Sequence, residues 1–94
     1  MSEAENTRRA ALVTGGGRGI GRAICLALAA QGYDVAVNYA ASSAAAEQTA
    51  EDCRAYGVQA VTLQADVTDP TACQTLVDTA ARTFGRLDVL VNKA

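Results

Sequence analysis

Between Val13 and Gly21 the chain packs glycines at positions 15, 16, 17, 19 and 21, and this stretch constrains the fold more than any other. It joins the continuous apolar run Ala10-Ala11-Leu12-Val13-Thr14 to a stretch carrying Ile20, Ala23, Ile24, Ala27 and Leu28 at helical spacing. The first reads as a strand buried on both faces, the second as a helix with those five residues turned inward. A strand that turns at once into a helix through glycines presents bare backbone N–H groups at the positive end of the helix dipole. That combination suits a phosphate.

The rest of the chain repeats the unit. Gly32 stands where a left-handed helix C-cap is wanted, and Asp34-Val35-Ala36-Val37-Asn38 reads as a second strand. Ser42 or Ser43 can cap a helix running to about Tyr56, with Ala46, Ala50 and Cys53 inward and Gly57 closing it. Gln59 to Gln64 reads as a third strand. Asp69-Pro70 supplies an N-cap followed by proline at the first helical position. The stripe Cys73, Leu76, Val77, Ala80, Ala81 and Phe84 predicts a helix that Gly85 ends, and Leu87 to Val91 a fourth strand. Strands alternating with helices imply an α/β fold with a parallel sheet and right-handed βαβ crossovers.

Composition narrows the function classes. The 94 residues are 50% hydrophobic, enough for one packed domain. A polar tail over residues 1–8 precedes a domain expected over 9–94. The net charge of −2 argues against a nucleic-acid partner or an anionic membrane surface. No apolar run approaches the ~20 residues of a membrane span. The polar, acidic start from Met1 to Asn6 lacks the pattern of a signal peptide, so a cytoplasmic address is expected. Cys25, Cys53 and Cys73 fall in predicted helices with no histidine in the chain, a spacing that fits core packing rather than metal binding.

The loop does not follow G-x-G-x-x-G, because position 20, counted from Gly15, is Ile20; it reads G-x-x-x-G-x-G, preceded by Thr14. A Walker loop is excluded, since no Gly-Lys-Ser or Gly-Lys-Thr follows. An NAD site usually places a carboxylate about 20 residues past the glycines to accept from the ribose 2′-hydroxyl. Here the second strand ends in Asn38-Tyr39-Ala40-Ala41-Ser42. Without a carboxylate, a 2′-phosphate meets no like charge, Arg18 could pair with it, and Ser42 could donate to it. NADP (NADPH) is therefore expected over NAD. The plainer alternatives are a solvated Arg18 and a Ser42 that only caps its helix.

These residues resemble the short-chain dehydrogenases/reductases, whose T-G-x-x-x-G-x-G cofactor loop is similar to Thr14 through Gly21. Asp66-Val67 resembles that family's acidic position after the third strand, and Leu90-Val91-Asn92-Lys93-Ala94 its N-N-A-G turn after the fourth. Val35 to Ala40 is most similar to the NADP-using branch that includes the 3-oxoacyl-acyl-carrier-protein reductases. The resemblance implies a Rossmann-type sheet, here stopping after the fourth strand, and homo-oligomeric full-length relatives. It implies cofactor contacts from Gly15, Gly17, Arg18, Gly19, Ile20 and Gly21 in the loop and from Asn38, Tyr39 and Ser42 after the second strand. Asp66 and Val67 would meet the adenine, and Asn92 and Ala94 would lie near the cofactor. Asp66 could equally brace its own loop, and Asn92 could serve the backbone of neighbouring strands.

Two departures stand out. Lys93 occupies the place of the family's second asparagine. The Y-x-x-x-K pair that carries the family's chemistry is missing, because Tyr33, Tyr39 and Tyr56 have no lysine four residues on. The expectation is the cofactor-binding half of a carbonyl or 3-oxoacyl reductase, without turnover of its own and marginally stable alone. A non-catalytic dinucleotide-binding or interaction module is the alternative.

Overall fold

The computed structural model describes residues 8–92, so Lys93, Ala94 and most of the expected N-terminal tail lie outside the described residues. The elements run β1 (Ala10–Val13), α1 (Gly19–Ala30), β2 (Asp34–Tyr39), α2 (Ser43–Arg54), β3 (Ala60–Gln64), α3 (Pro70–Phe84) and β4 (Val89–Val91). All strand pairs are parallel, in the order β3-β2-β1-β4. The α/β sheet expected from the sequence is the one observed, with strand ends displaced by one or two residues. Thr14, Gln59, Leu87 and Asp88 fall outside the strands.

Topology follows from one hand of crossover. From β1 the chain moves outward through β2 to β3, then returns to the far side of β1, so its helices must change faces. Val13, Val35 and Val37 pack with Cys25 and Ala29 of α1 and with Ala46, Ala50 and Cys53 of α2. Ala10, Leu12 and Ala36 pack with Leu76, Ala80 and Phe84 of α3 on the other face. Every residue of β1 is fully buried, and a side chain such as Leu12 or Val13 is worth about 1.5–3 kcal/mol when so placed. The strands at the two edges are less covered, and Leu90 of β4 is 48% exposed.

The helix ends carry the expected punctuation. The Asp69 carboxylate accepts from the Thr71 N–H at 3.0 Å with Pro70 at the first turn, and Gly85 closes α3 at φ 79°. Ser42 sits at the N-cap of α2, but its hydroxyl makes no capping bond.

The inward face of α1 requires a correction. Ile20, Ala23 and Ala27 are exposed; Ile24 and Leu28, half-buried, do pack against the core, and the fully enclosed line against the sheet is Gly21, Cys25 and Ala29. The cause is close approach. A Cβ on Gly21 would lie 2.1 Å from the Gly15 carbonyl oxygen, so the helix start nearly touches the loop. Only small side chains fit that line of contact, and the larger ones flank it.

The opposite, N-terminal edge of the sheet is tied by two carboxylates. Buried Asp34 accepts from Arg8 Nε at 3.0 Å and the Gln59 N–H at 2.9 Å. Asp88 accepts from the Ala10 N–H at 2.9 Å and takes both Arg86 Nε and Nη2 at 2.8 Å. Arg86 foremost, then the Ala10 N–H, holds the Asp88 carboxyl down at about 2. No helix among the described residues is long and apolar enough to cross a membrane.

Candidate functional site

The site lies at the carboxyl ends of the strands, where β1 runs into the glycine loop. In open parallel sheets this edge, at the point where the strand order reverses, is where ligands bind. Gly15 makes the turn at φ 61°, a left-handed conformation that side chains rarely adopt. Gly16 and Gly17 are demanded by packing. A Cβ on Gly16 would meet Cys25 Sγ and Val37 Cγ1 at 2.9 Å, and one on Gly17 would meet the Ala46 nitrogen at 3.1 Å. Gly16 is not among the cofactor contacts expected from sequence, and the crowding beneath it is what requires a glycine there.

Asn38 brackets the loop. It is 2% exposed, and its Oδ1 accepts from the Gly15 N–H at 3.3 Å while its backbone carbonyl accepts from the Gly16 N–H at 3.0 Å. Its Nδ2 donates across the sheet to the carbonyls of Leu63 at 3.1 Å and Ala65 at 3.3 Å. The amide therefore ties β2 and β3 to the turn. Thr14 does the same on the β4 side, where its N–H donates to the Val91 carbonyl at 3.0 Å. Its hydroxyl lies 3.4 Å from both that oxygen and Asn92 Oδ1.

A cavity of about 200 Å³ opens between the loop, the end of β2 and the start of α2. Gly15, Gly17, Arg18, Asn38, Tyr39 and Ser42 line it, together with Ala40 and Ala45, which the sequence did not point to. Arg18 Nη2 donates to Ser42 Oγ at 3.3 Å. No carboxylate is among the lining residues, and the one cation there is the guanidinium of Arg18. Beside it Gly19, Ile20 and Gly21 form the first turn of α1, whose N–H groups have no carbonyl to bond within the helix. Ile20 is 68% exposed at this edge.

The remaining predicted residues stand apart. Asp66 accepts from the Thr68 N–H at 3.0 Å and its hydroxyl at 2.6 Å, which lowers its carboxyl below the ordinary range. Val67 packs against the α3 side of the core. Neither lines the cavity. Asn92 reaches the loop only through Thr14, and Ala94 lies outside the described residues. Cys25 and Cys53 lie buried beneath the loop, where burial pushes the Cys25 thiol up to about 12 and the Cys53 thiol upward. These are protonated packing groups, not nucleophiles.

The family profile described as short chain dehydrogenase matches residues 9–94. Over 86 residues the chain is 49% identical to the 3-oxoacyl-acyl-carrier-protein reductase FabG of Staphylococcus aureus, covering 92% of this chain and 35% of that protein. It is 46% identical over 97 residues to versicolorin reductase stcU of Emericella nidulans, covering 100% of this chain and 37% of the other. A short chain dehydrogenase from Burkholderia cenocepacia, solved in complex with NADP, superimposes with a TM-score of 0.87 at 49% identity, over 93% of this chain and 35% of that one. The chain thus spans about a third of the length of these relatives.

Proposed function

This chain belongs to the short-chain dehydrogenase family, and we propose that its residues form the cofactor-binding part of an NADP-dependent short-chain oxidoreductase. The first-turn amides of α1 receive the pyrophosphate. Arg18, beside Ser42, takes the 2′-phosphate that distinguishes NADPH from NADH. The observation that carries this reading is the cavity holding Arg18 and Ser42 with no carboxylate in its lining. A carboxylate there would accept from a free 2′-hydroxyl and repel a phosphate. The Burkholderia relative solved with NADP and the similarity to a 3-oxoacyl reductase support the same cofactor.

Reduction of a carbonyl or 3-oxoacyl group, or the reverse oxidation of an alcohol, is the activity proposed for the enzyme to which these residues belong. The bound dinucleotide supplies the hydride. A proton must also reach the forming alkoxide. No tyrosine here is followed by lysine four residues on, so these residues are assigned binding and orientation only.

The test is calorimetric titration of the chain with NADPH and NADH, beside the Arg18→Ala variant. A charge-assisted contact of about 1.5–3 kcal/mol predicts roughly ten- to a hundredfold tighter binding of NADPH, erased by the substitution. Equal affinity for the two dinucleotides in the unsubstituted chain would overturn the assignment.

A further inference from the structure

Thr49 is a threonine with no exposed surface in the middle of α2, and its hydroxyl makes three contacts, to α1, to its own helix and to the glycine loop. Its oxygen accepts from Arg22 Nη1 of α1 at 3.2 Å. With the guanidinium on its acceptor side, its proton is directed at two carbonyls, Ala45 at 3.2 Å and Gly17 at 3.4 Å. Arg22 is itself held by an ion pair through Nη2 to Asp52, which also accepts from Gln48 Nε2 at 3.0 Å. Four side chains on two helices thus form one run of contacts, and Thr49 is the member that reaches the loop, at the Gly17 carbonyl. None of the four lines the cavity.

The Gly17 carbonyl belongs to the peptide unit from which Arg18 departs. That unit is planar, so holding its oxygen fixes the plane carrying the Arg18 nitrogen. The packing is already tight on this side, with the Ala46 nitrogen 3.1 Å and the Ala45 Cβ 3.3 Å from where a Gly17 Cβ would stand. The loop top is therefore pressed against α2 and pinned there by a hydroxyl. Arg18 then reaches across to Ser42, at the N-cap of that same helix.

We infer that the Arg22–Thr49–Asp52 linkage is a positioning device for Arg18, setting the preference for a 2′-phosphorylated dinucleotide from a place the cofactor never touches. The inference rests on the dinucleotide reading above and adds to it a role for residues outside the cavity. Its signature is selectivity. A loss of general packing weakens NADPH and NADH together, whereas a misplaced Arg18 weakens NADPH alone.

The test uses Thr49→Val, which keeps the branched shape and removes the hydroxyl, and Thr49→Ser, which keeps the hydroxyl. Affinities for NADPH and NADH are measured by calorimetry, and backbone order parameters of Arg18 and Gly19 are measured by NMR relaxation without cofactor. Thr49→Val is expected to lower the NADPH-to-NADH affinity ratio about three- to tenfold, the worth of one net hydrogen bond, and to lower the Arg18 order parameter. Thr49→Ser is expected to restore both. Arg22→Met, at a half-exposed site that tolerates truncation of the charge, should lower the same order parameter if the valine variant does not fold.

An unchanged ratio with an unchanged Arg18 order parameter in Thr49→Val would overturn the inference, as would equal loss in the serine variant. If the unsubstituted chain binds neither dinucleotide, the functional reading fails instead. The cofactor-free order parameters then still decide whether the linkage holds the loop.

Discussion

Truncating Asn38 to alanine removes the bracket between the sheet and the glycine loop, and its cost follows from the geometry. The substitution deletes an acceptor for the Gly15 N–H and donors to the Leu63 and Ala65 carbonyls, at 3.3, 3.1 and 3.3 Å. Two of the three contacts are long, so on average each counts near the lower half of the usual net range of about 0.5–1.5 kcal/mol. With a buried side chain lost as well, the total comes to about 2–3 kcal/mol. In a domain of this size that lowers the melting temperature by roughly 10–20 °C.

The assay is urea unfolding followed by far-UV circular dichroism, where the midpoint should fall with the slope unchanged. Amide exchange localises the effect. Gly15 should exchange much faster in Asn38→Ala, while Gly16, held by the backbone carbonyl of residue 38, should change less. Asn38→Asp keeps the acceptor for Gly15 but replaces both donors by an oxygen facing two carbonyls, so it should destabilise without releasing Gly15. A loss in Asn38→Ala below about 1 kcal/mol, or unaltered Gly15 exchange, would refute the bracket.

Gly21→Ala places a methyl where the Gly15 oxygen stands, 2.1 Å away, so the loop must move by about 1 Å. It should destabilise the chain by about 1–3 kcal/mol and weaken NADPH binding, measured by urea unfolding and calorimetry. Asp88 supplies a pH test. Its carboxyl is held at about 2, below an ordinary value of 3.8, so the charged form stabilises the fold. That contribution is complete above the ordinary value and is lost as the pH falls through about 2. The stability difference between the unsubstituted chain and Asp88→Asn should be level from pH 8 to about 5 and fade between about 4 and 2 in acid unfolding curves.

How far the sequence revealed this fold depended on how local each cause was. Asp69-Pro70 and Gly85 act within a few residues, so both ends of α3 were legible, as was the apolar run of β1. The stripe on α1 misleads at Ile20, Ala23 and Ala27, because backbone contact at Gly21 sets Gly21, Cys25 and Ala29 along the line of closest approach, with Ile24 and Leu28 packed beside it. Asn38 was legible as the absence of an acid, but its bracketing work depends on the pairing that sets it opposite Leu63. Thr49 and Arg22 gave no signal. Their contact joins residues 27 positions apart on separate helices, and only the packing of α1 beside α2 makes them neighbours.

The pairing of β1 bears on how the chain is made. On one side β1 takes β2, beginning at the Ala10–Asp34 pair, and on the other it takes β4, whose first pair joins Ala11 to Val89. Because synthesis proceeds from the N-terminus, β1, β2 and β3 can emerge and pair while the other flank of β1 is still without its neighbour. The strand that ends up most enclosed is thus among the earliest made and the last to be enclosed. Until β4 leaves the ribosome, the apolar segment leading into the glycine loop keeps one unpaired edge, open to any other extended chain.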